Sequence, residues 1–246
     1  YLSGLKEKLG VKKVLQVFSL FVFVPFVMLV KQPDLGTALI ALLIFISMVF
    51  ARGLQRKVIF LAVVIAFISV PFVGNIFWNE LKDYQKKRIV AFVNPAVDPG
   101  GISYHITQSK VAIGSGGFFG KGYLKGTQGP FRFLPEKHTD FIFAVFAEER
   151  GLLGSTLLLA AYLALILRGL DTARKAKDEF SRMLAFGITS IFFMYSVINI
   201  GMTMGLMPVV GIPLPFMSYG GTALVSNFAA AGILMNIRAR RFELFY

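Results

Sequence analysis

The sequence predicts an all-α, polytopic integral membrane protein with six transmembrane helices and a long extracytoplasmic loop. Three observations predict it. Of the 246 residues, 56% are hydrophobic and only 16% are charged, with a mean hydropathy of +0.69, a composition that a water-soluble domain of this size does not carry. Long apolar segments recur along the chain, each near the ~20 residues that cross ~30 Å of hydrocarbon. Most Lys and Arg residues sit in short clusters between those segments, where orientation signals belong, so the net charge of +13 points to a membrane and away from nucleic acid. The absence of cysteine excludes a disulfide framework and a thiolate metal site. With only His105 and His138, a histidine-rich metal site is not expected either. The first residue is Tyr1 and no signal peptide precedes the first apolar run, as expected for a piece of a longer protein.

The first expected span is 14–30, introduced by Lys6, Lys8, Lys12 and Lys13 and tolerating Pro25 at its middle, where neighbouring helices satisfy the freed carbonyl. Gln32-Pro-Asp-Leu-Gly36 then reads as a tight turn, with Asp34 as a turn or helix cap rather than a catalyst. The second span is 35–51 and the third 58–78, separated by Arg52, Arg56 and Lys57. Residues 79–139 contain no stretch apolar enough to cross a bilayer and form the expected extracytoplasmic loop. It starts with a polar helical piece, Leu81 to Val93, turns at Pro99-Gly100 and continues into a glycine-rich segment. The remaining spans are 141–167, 183–207 and 222–237. Residues 208–221 hold too much Pro and Gly for a regular helix and read as a re-entrant loop, which is permissible only where protein or a cavity covers its backbone. The whole chain forms a single membrane domain, 1–246.

Six spans place both ends on one side. Fifteen Lys and Arg residues lie on that side, all in short segments, whereas the long loop escapes the positive-inside bias. Both ends are therefore expected to be cytoplasmic, in the plasma (inner) membrane, with residue 140 outside. Counting outward from Arg168 along one straight helix puts Glu148, Glu149 and Arg150 at the outer hydrocarbon edge, and Asp140 about 12 Å beyond Glu148. Glu148 then either pairs with Arg150 at the interface or lines the same cavity as Asp140, from which it is turned by about 80°.

Chemistry concentrates at Asp140, in the first turn of an apolar helix. The helix dipole favours a negative charge there, so simple capping is one reading. The apolar wall from Phe141 to Ala147 favours the other, a general base with restricted water access. His138 and Thr139 flank it as substrate-binding candidates. Gly114 to Gly129 fits neither the dinucleotide nor the P-loop pattern. It is either a flexible loop or a set of backbone N–H groups near an anion, assisted by Lys121 and Lys125. Arg88 either snorkels to lipid phosphates or holds a diphosphate through its planar fork. Ser218, ahead of the sixth span, either packs or binds an anion with nearby N–H groups.

These residues together resemble the SEDS family (shape, elongation, division and sporulation). The matching stretches are Gln32-Pro-Asp-Leu-Gly-Thr37, Tyr84-Gln-Lys-Lys-Arg-Ile89, Gln108-Ser-Lys-Val-Ala-Ile-Gly-Ser-Gly-Gly117, Leu134-Pro-Glu-Lys-His-Thr-Asp-Phe-Ile-Phe-Ala144 and Gly205 to Gly221. They cover nearly the whole chain in family order. Gly120-Lys-Gly-Tyr and Gly126-Thr-Gln look more like the elongation branch than the division branch. One departure is Glu148-Glu-Arg150-Gly, where the family commonly has Leu at the third position.

The resemblance implies a peptidoglycan glycosyltransferase that polymerises lipid II, with an essential aspartate at the position of Asp140. It also implies about ten spans in the full-length family, so that this chain lacks four, and a class B penicillin-binding protein with transpeptidase activity as partner. The expected mechanism has Asp140 taking the proton of the acceptor hydroxyl as it attacks the donor sugar in one inverting step, which a single carboxylate can serve. Arg88 and Lys110 are the expected cationic help for the leaving diphosphate, with a divalent cation, Mg²⁺ or Mn²⁺, as the other source. No protein metal ligands are assigned. The competing readings are a lipid II flippase, which would need polar residues at midspan, and a scaffold that docks another cell-wall protein.

Overall fold

The computed structural model describes residues 2–4, 8–32, 34–62, 64, 78–79, 81–94, 101–127 and 138–240. The helices that position the rest are α1 (Val11–Lys31), α2 (Leu35–Arg52), α3 (Asp83–Val93), α4 (Ile102–Ser115), α5 (Ile142–Arg174), α6 (Glu179–Thr203) and α7 (Gly221–Ala239). No β-strand forms among the described residues; an isolated bridge joins Leu9 and Leu54. Four helices, α1, α2, α5 and α6, are long and apolar enough to cross a membrane, and the protein is a multi-pass membrane protein. Most of the expected third span and the Pro99-Gly100 turn lie outside the described residues.

Local chemistry accounts for how the elements begin and bend. α1 opens into a wide π turn over Phe18–Phe23, immediately before Pro25. A wide turn relieves the clash between a proline ring and the carbonyl four residues earlier. Asp34 caps α2: its carboxylate accepts the Thr37 N–H at 3.0 Å and the Thr37 hydroxyl at 2.7 Å, satisfying one of the orphan donors of the first turn. That is the capping role expected from the Pro-Asp-Leu-Gly turn. Asp178 does the same for α6, accepting from Ser181 N–H at 2.9 Å and its hydroxyl at 2.7 Å.

The chain divides into two compact units. One comprises Tyr1–Lys86, Gly169–Ile191 and Ile233–Tyr246; the other comprises Lys87–Arg168 and Phe192–Gly232. In the first, Phe18 of α1 meets Phe45 of α2 with ring centroids 5.6 Å apart. Gly169 lies against the Thr189 side chain, where a Cβ would collide.

The second unit adds a core helix to the segment expected as an extracytoplasmic loop over 79–139. Helix α4 is part of the unit's core: Ile106 and Ala112 are buried with Phe141, Ala144, Met202 and Val209. Ile102, Ile106, Ser109, Ala112 and Ile113 recur at helical spacing, so α4 has a core face. Its mean hydropathy is too low to resemble a span, which is why it reads as loop. A second cluster joins Phe143, Tyr162, Ile200 and Leu214.

The straight helix expected over 141–167 is also corrected. At Gly151 the backbone of α5 leaves helical geometry, with φ 65° and ψ −163°, a region open essentially to glycine. Breaking a helix frees carbonyls before the break and N–H groups after it, and the glycine-rich segment supplies partners for both. Glu148 and Glu149 carbonyls accept from the N–H groups of Lys121 and Gly122, each at 3.0 Å. Leu152 and Leu153 N–H donate to the carbonyls of Gly117 and Phe118 at 2.9 and 3.1 Å. A Cβ at Gly120 would run into the Glu149 and Arg150 backbone, and one at Gly151 into Gly120 and Phe118. The glycines are therefore required by close backbone approach, and counting rise from Arg168 does not give the depth of Asp140.

Candidate active site

Every residue of the candidate site lies in the second unit. Asp140 sits in the turn just ahead of α5. Its side chain and that of Arg88, on α3, reach the same place: a Cβ built on Gly211 would stand 3.3 Å from Asp140 Oδ2 and 3.9 Å from Arg88 Nη1. Gly211 itself has φ 76°, so both backbone conformation and available space call for glycine there. Asp140 and Arg88 are each partly buried. The two groups are separated by 52 positions in sequence, and it is the irregular segment after α6 that brings them to one point.

That segment is the scaffold of the site. Ile212, Leu214, Pro215 and Ser218 are buried, and Tyr162 anchors the segment by donating its hydroxyl to the Pro215 carbonyl at 2.6 Å. Ser218 Oγ accepts from Leu214 N–H and donates to the Thr139 carbonyl, both at 2.7 Å. Tyr219 N–H donates to the His138 carbonyl at 2.8 Å. The hydroxyl of Ser218, a candidate anion ligand by sequence, is thus engaged on both sides in holding the turn. His138 is exposed and Thr139 partly so, with their carbonyls committed to this scaffold. Lys110 is exposed on α4 and lays its stem across Gly205.

Asn199 is the residue that sequence reasoning missed in this role. Fully buried on α6, it donates its amide to the Asp140 carbonyl at 3.0 Å and the Ile212 carbonyl at 2.6 Å. It therefore ties the turn carrying Asp140 to the segment carrying Gly211. Its Oδ1 is buried with no partner among the described residues. The available signal was an asparagine in the middle of an apolar run, a costly placement that usually marks function or a polar contact.

Glu148 finds its partners in the glycine-rich segment, whereas the sequence offers it Arg150 or the cavity of Asp140. It is fully buried and accepts from Lys121 Nζ at 2.7 Å, Thr127 N–H at 2.7 Å and the Thr127 hydroxyl at 2.8 Å. Arg150 instead faces the Tyr123 ring, 5.7 Å from its centroid, a cation–π distance. A Cβ at Gly126 would lie 2.9 Å from Glu148 Oε2, so this glycine lets the loop close onto the carboxylate. Lys121, considered above as an anion ligand, is occupied by Glu148. Among the described residues no three His, Asp or Glu side chains converge to hold a metal ion.

Comparison with known proteins follows the same lines. A family model for FtsW, RodA and SpoVE, described as a cell cycle protein, matches residues 5–243. The peptidoglycan glycosyltransferase MrdB of Escherichia coli K12 is 48% identical over 89% of this chain, and the chain spans 59% of that relative. A solved peptidoglycan synthase complex coordinating polymerization and crosslinking has a chain similar over 92% of this one, with a TM-score of 0.72 and 29% identity. The rod shape determining protein RodA of Thermus thermophilus is similar over 98%, with a TM-score of 0.61 and 25% identity. This chain covers 61% of each of those two chains.

Proposed function

Because the chain belongs to the FtsW, RodA and SpoVE family of cell cycle proteins, we propose that it is the polymerising part of a peptidoglycan glycosyltransferase that uses lipid II during cell elongation. The observation that carries this reading is the meeting of Asp140 and Arg88 at Gly211, a carboxylate and a guanidinium at the mouth of an apolar helix. Asp140, ionised, accepts the proton of the acceptor sugar's hydroxyl. The freed oxygen pair forms the new bond to the donor's anomeric carbon, while the bond to the diphosphate breaks and its electron pair leaves with the polyprenyl diphosphate. Displacement in one step inverts the anomeric centre, so no second carboxylate is needed. Arg88 meets the charge that grows on the departing diphosphate, for which a planar fork of donors is suited.

His138 and Thr139 complete the acceptor side. Ser218 acts by fixing the Thr139 carbonyl, and Lys110 is a candidate for binding the donor headgroup. Among the described residues no protein cage for Mg²⁺ or Mn²⁺ is evident, and the cationic assistance derived for the leaving group comes from Arg88. The six-span topology, cytoplasmic ends, inner-membrane location and a class B penicillin-binding protein as partner belong to the same reading. The solved synthase complex, in which polymerization is coordinated with crosslinking, supports such a partner.

The test is polymerisation of purified lipid II by the full-length protein with its partner. Asp140→Asn should make no glycan strands and Arg88→Lys should lose at least tenfold, because a point charge does not replace the guanidinium fork. Asp34→Asn should retain activity, since Asp34 caps α2. Polymerisation by Asp140→Asn at the wild-type rate would overturn the reading. Headgroup translocation without strand formation in the same liposomes would favour a flippase.

A further inference from the structure

The first unit holds a basic cavity for which the proposed reaction has no use. It measures about 320 Å³ and is lined by Ala51 at the end of α2, Leu170, Ala173 and Arg174 near the end of α5, and Arg182, Met183 and Phe186 near the start of α6. These helix ends lie on one side of the unit, because α5 and α6 are joined directly through residues 175–178. The wall is apolar and the two polar groups that line it are both guanidiniums.

Neighbouring carboxylates neutralise them only in part. Glu179 is shared: its Oε1 accepts from Arg182 Nη2 at 2.6 Å and lies 3.9 Å from Arg52 Nε. Asp171 is occupied by Lys175 at 2.8 Å and Arg238 at 3.0 Å. Asp178 is engaged in capping α6. Arg174 has no ion pair among the described residues, and Arg182 Nε is buried with no partner. Arg52 and Arg182 thus share one carboxylate while Arg174 has none among the described residues, and an unpaired buried donor favours an acceptor oxygen in the cavity.

We propose that this cavity binds an anionic phospholipid, its phosphate held between Arg174 and Arg182 and an acyl chain lying against Leu170 and Phe186. The charge requires an anion, and guanidiniums match phosphate oxygens in a bidentate fork. The apolar wall, on helices long enough to span a bilayer, is what separates a lipid from a soluble phosphate ester. Basic pockets between membrane helices at the surface are suited to such headgroups. The site is independent of the Asp140 chemistry and stands or falls separately.

The experiment uses full-length protein in detergent, titrated with phosphatidylglycerol or phosphatidylethanolamine and read by native mass spectrometry. Phosphatidylglycerol should bind more tightly, and Arg174→Gln and Arg182→Gln should each weaken it roughly fivefold, as loss of one basic group at a membrane surface implies. Arg240→Gln, which removes an equal charge from the end of α7, should leave it unchanged. Arg174 is exposed and unpaired, so Arg174→Gln decides the matter even where Arg182→Gln disturbs the Glu179 pair. Equal binding of the two lipids, or undiminished phosphatidylglycerol binding by Arg174→Gln, would overturn the proposal. Displacement of the lipid by an equal concentration of glycerol phosphate would overturn it too, marking a site for soluble phosphate esters.

Discussion

At the scale of single residues, Gly211 leaves the space in which Asp140 and Arg88 meet, and Asn199 ties the backbone of Asp140 to that of Ile212. Asp140 and Arg88 stand in recognisable stretches, and each carries chemistry that can be argued from its own side chain. Gly211 and Asn199 do not: their roles depend on backbone conformation and on carbonyls 59 and 13 residues away, which no local pattern encodes. Gly211→Ala tests the first. A side chain at φ 76° costs about 1–2 kcal/mol of strain, and the added methyl would stand 3.3 Å from Asp140 Oδ2. Polymerisation should fall by at least tenfold while the thermal midpoint drops only a few degrees; unchanged activity would remove Gly211 from the site. Lys121→Met tests the buried pair. It would remove the ammonium facing the buried Glu148 carboxylate and leave the two Thr127 donors in place; since Lys121 also keeps 29% exposure, the expected loss is about 2–4 kcal/mol, somewhat below the ~3–5 kcal/mol for breaking a fully buried pair. Adding Glu148→Gln to Lys121→Met should recover part of that loss in a thermal unfolding series, because no buried charge then lacks a counter-ion.

At the scale of elements, apolar length identified the helices α1, α2, α5 and α6, and capping chemistry identified the start of α2. The failures share a cause. Helix α4 has a core face but a polar remainder, and the break in α5 falls at a glycine whose flanking residues find backbone partners 27 and 35 residues earlier, so hydropathy registers neither. Asp178 gives a pH prediction at this scale. Acceptance of the Ser181 backbone N–H, then of its hydroxyl, lowers its pKa below the usual carboxylate value. A carboxylate depressed on folding stabilises the folded state above its unfolded pKa of ~3.9 and loses that contribution as pH falls through the folded value. Asp178→Ala should therefore lower the thermal midpoint at neutral pH, and its difference from wild type should shrink as pH falls below ~4. A difference that persisted in strong acid would mean that the cap is not what Asp178 contributes.

At the scale of the whole molecule, charge sets which way the chain runs through the bilayer. Fifteen Lys and Arg residues occupy the short segments assigned to the cytoplasm, and short segments carry the positive-inside signal whereas long ones do not. No cysteine lies in these 246 residues, so a thiol introduced into them is the only one in this part of the protein and opens the assignment to a direct measurement. Lys57→Cys, Lys177→Cys and Arg240→Cys should be protected from a membrane-impermeant maleimide in intact cells and react after permeabilisation of the inner membrane. Lys31→Cys and Lys125→Cys should react without it. Position 125 carries the most weight, because it belongs to the segment that closes over Glu148 and leads toward Asp140. Reaction at 57 and 177 with protection at 125 would invert the topology and place Asp140 on the cytoplasmic side, where an enzyme polymerising strands outside the cell could not use it.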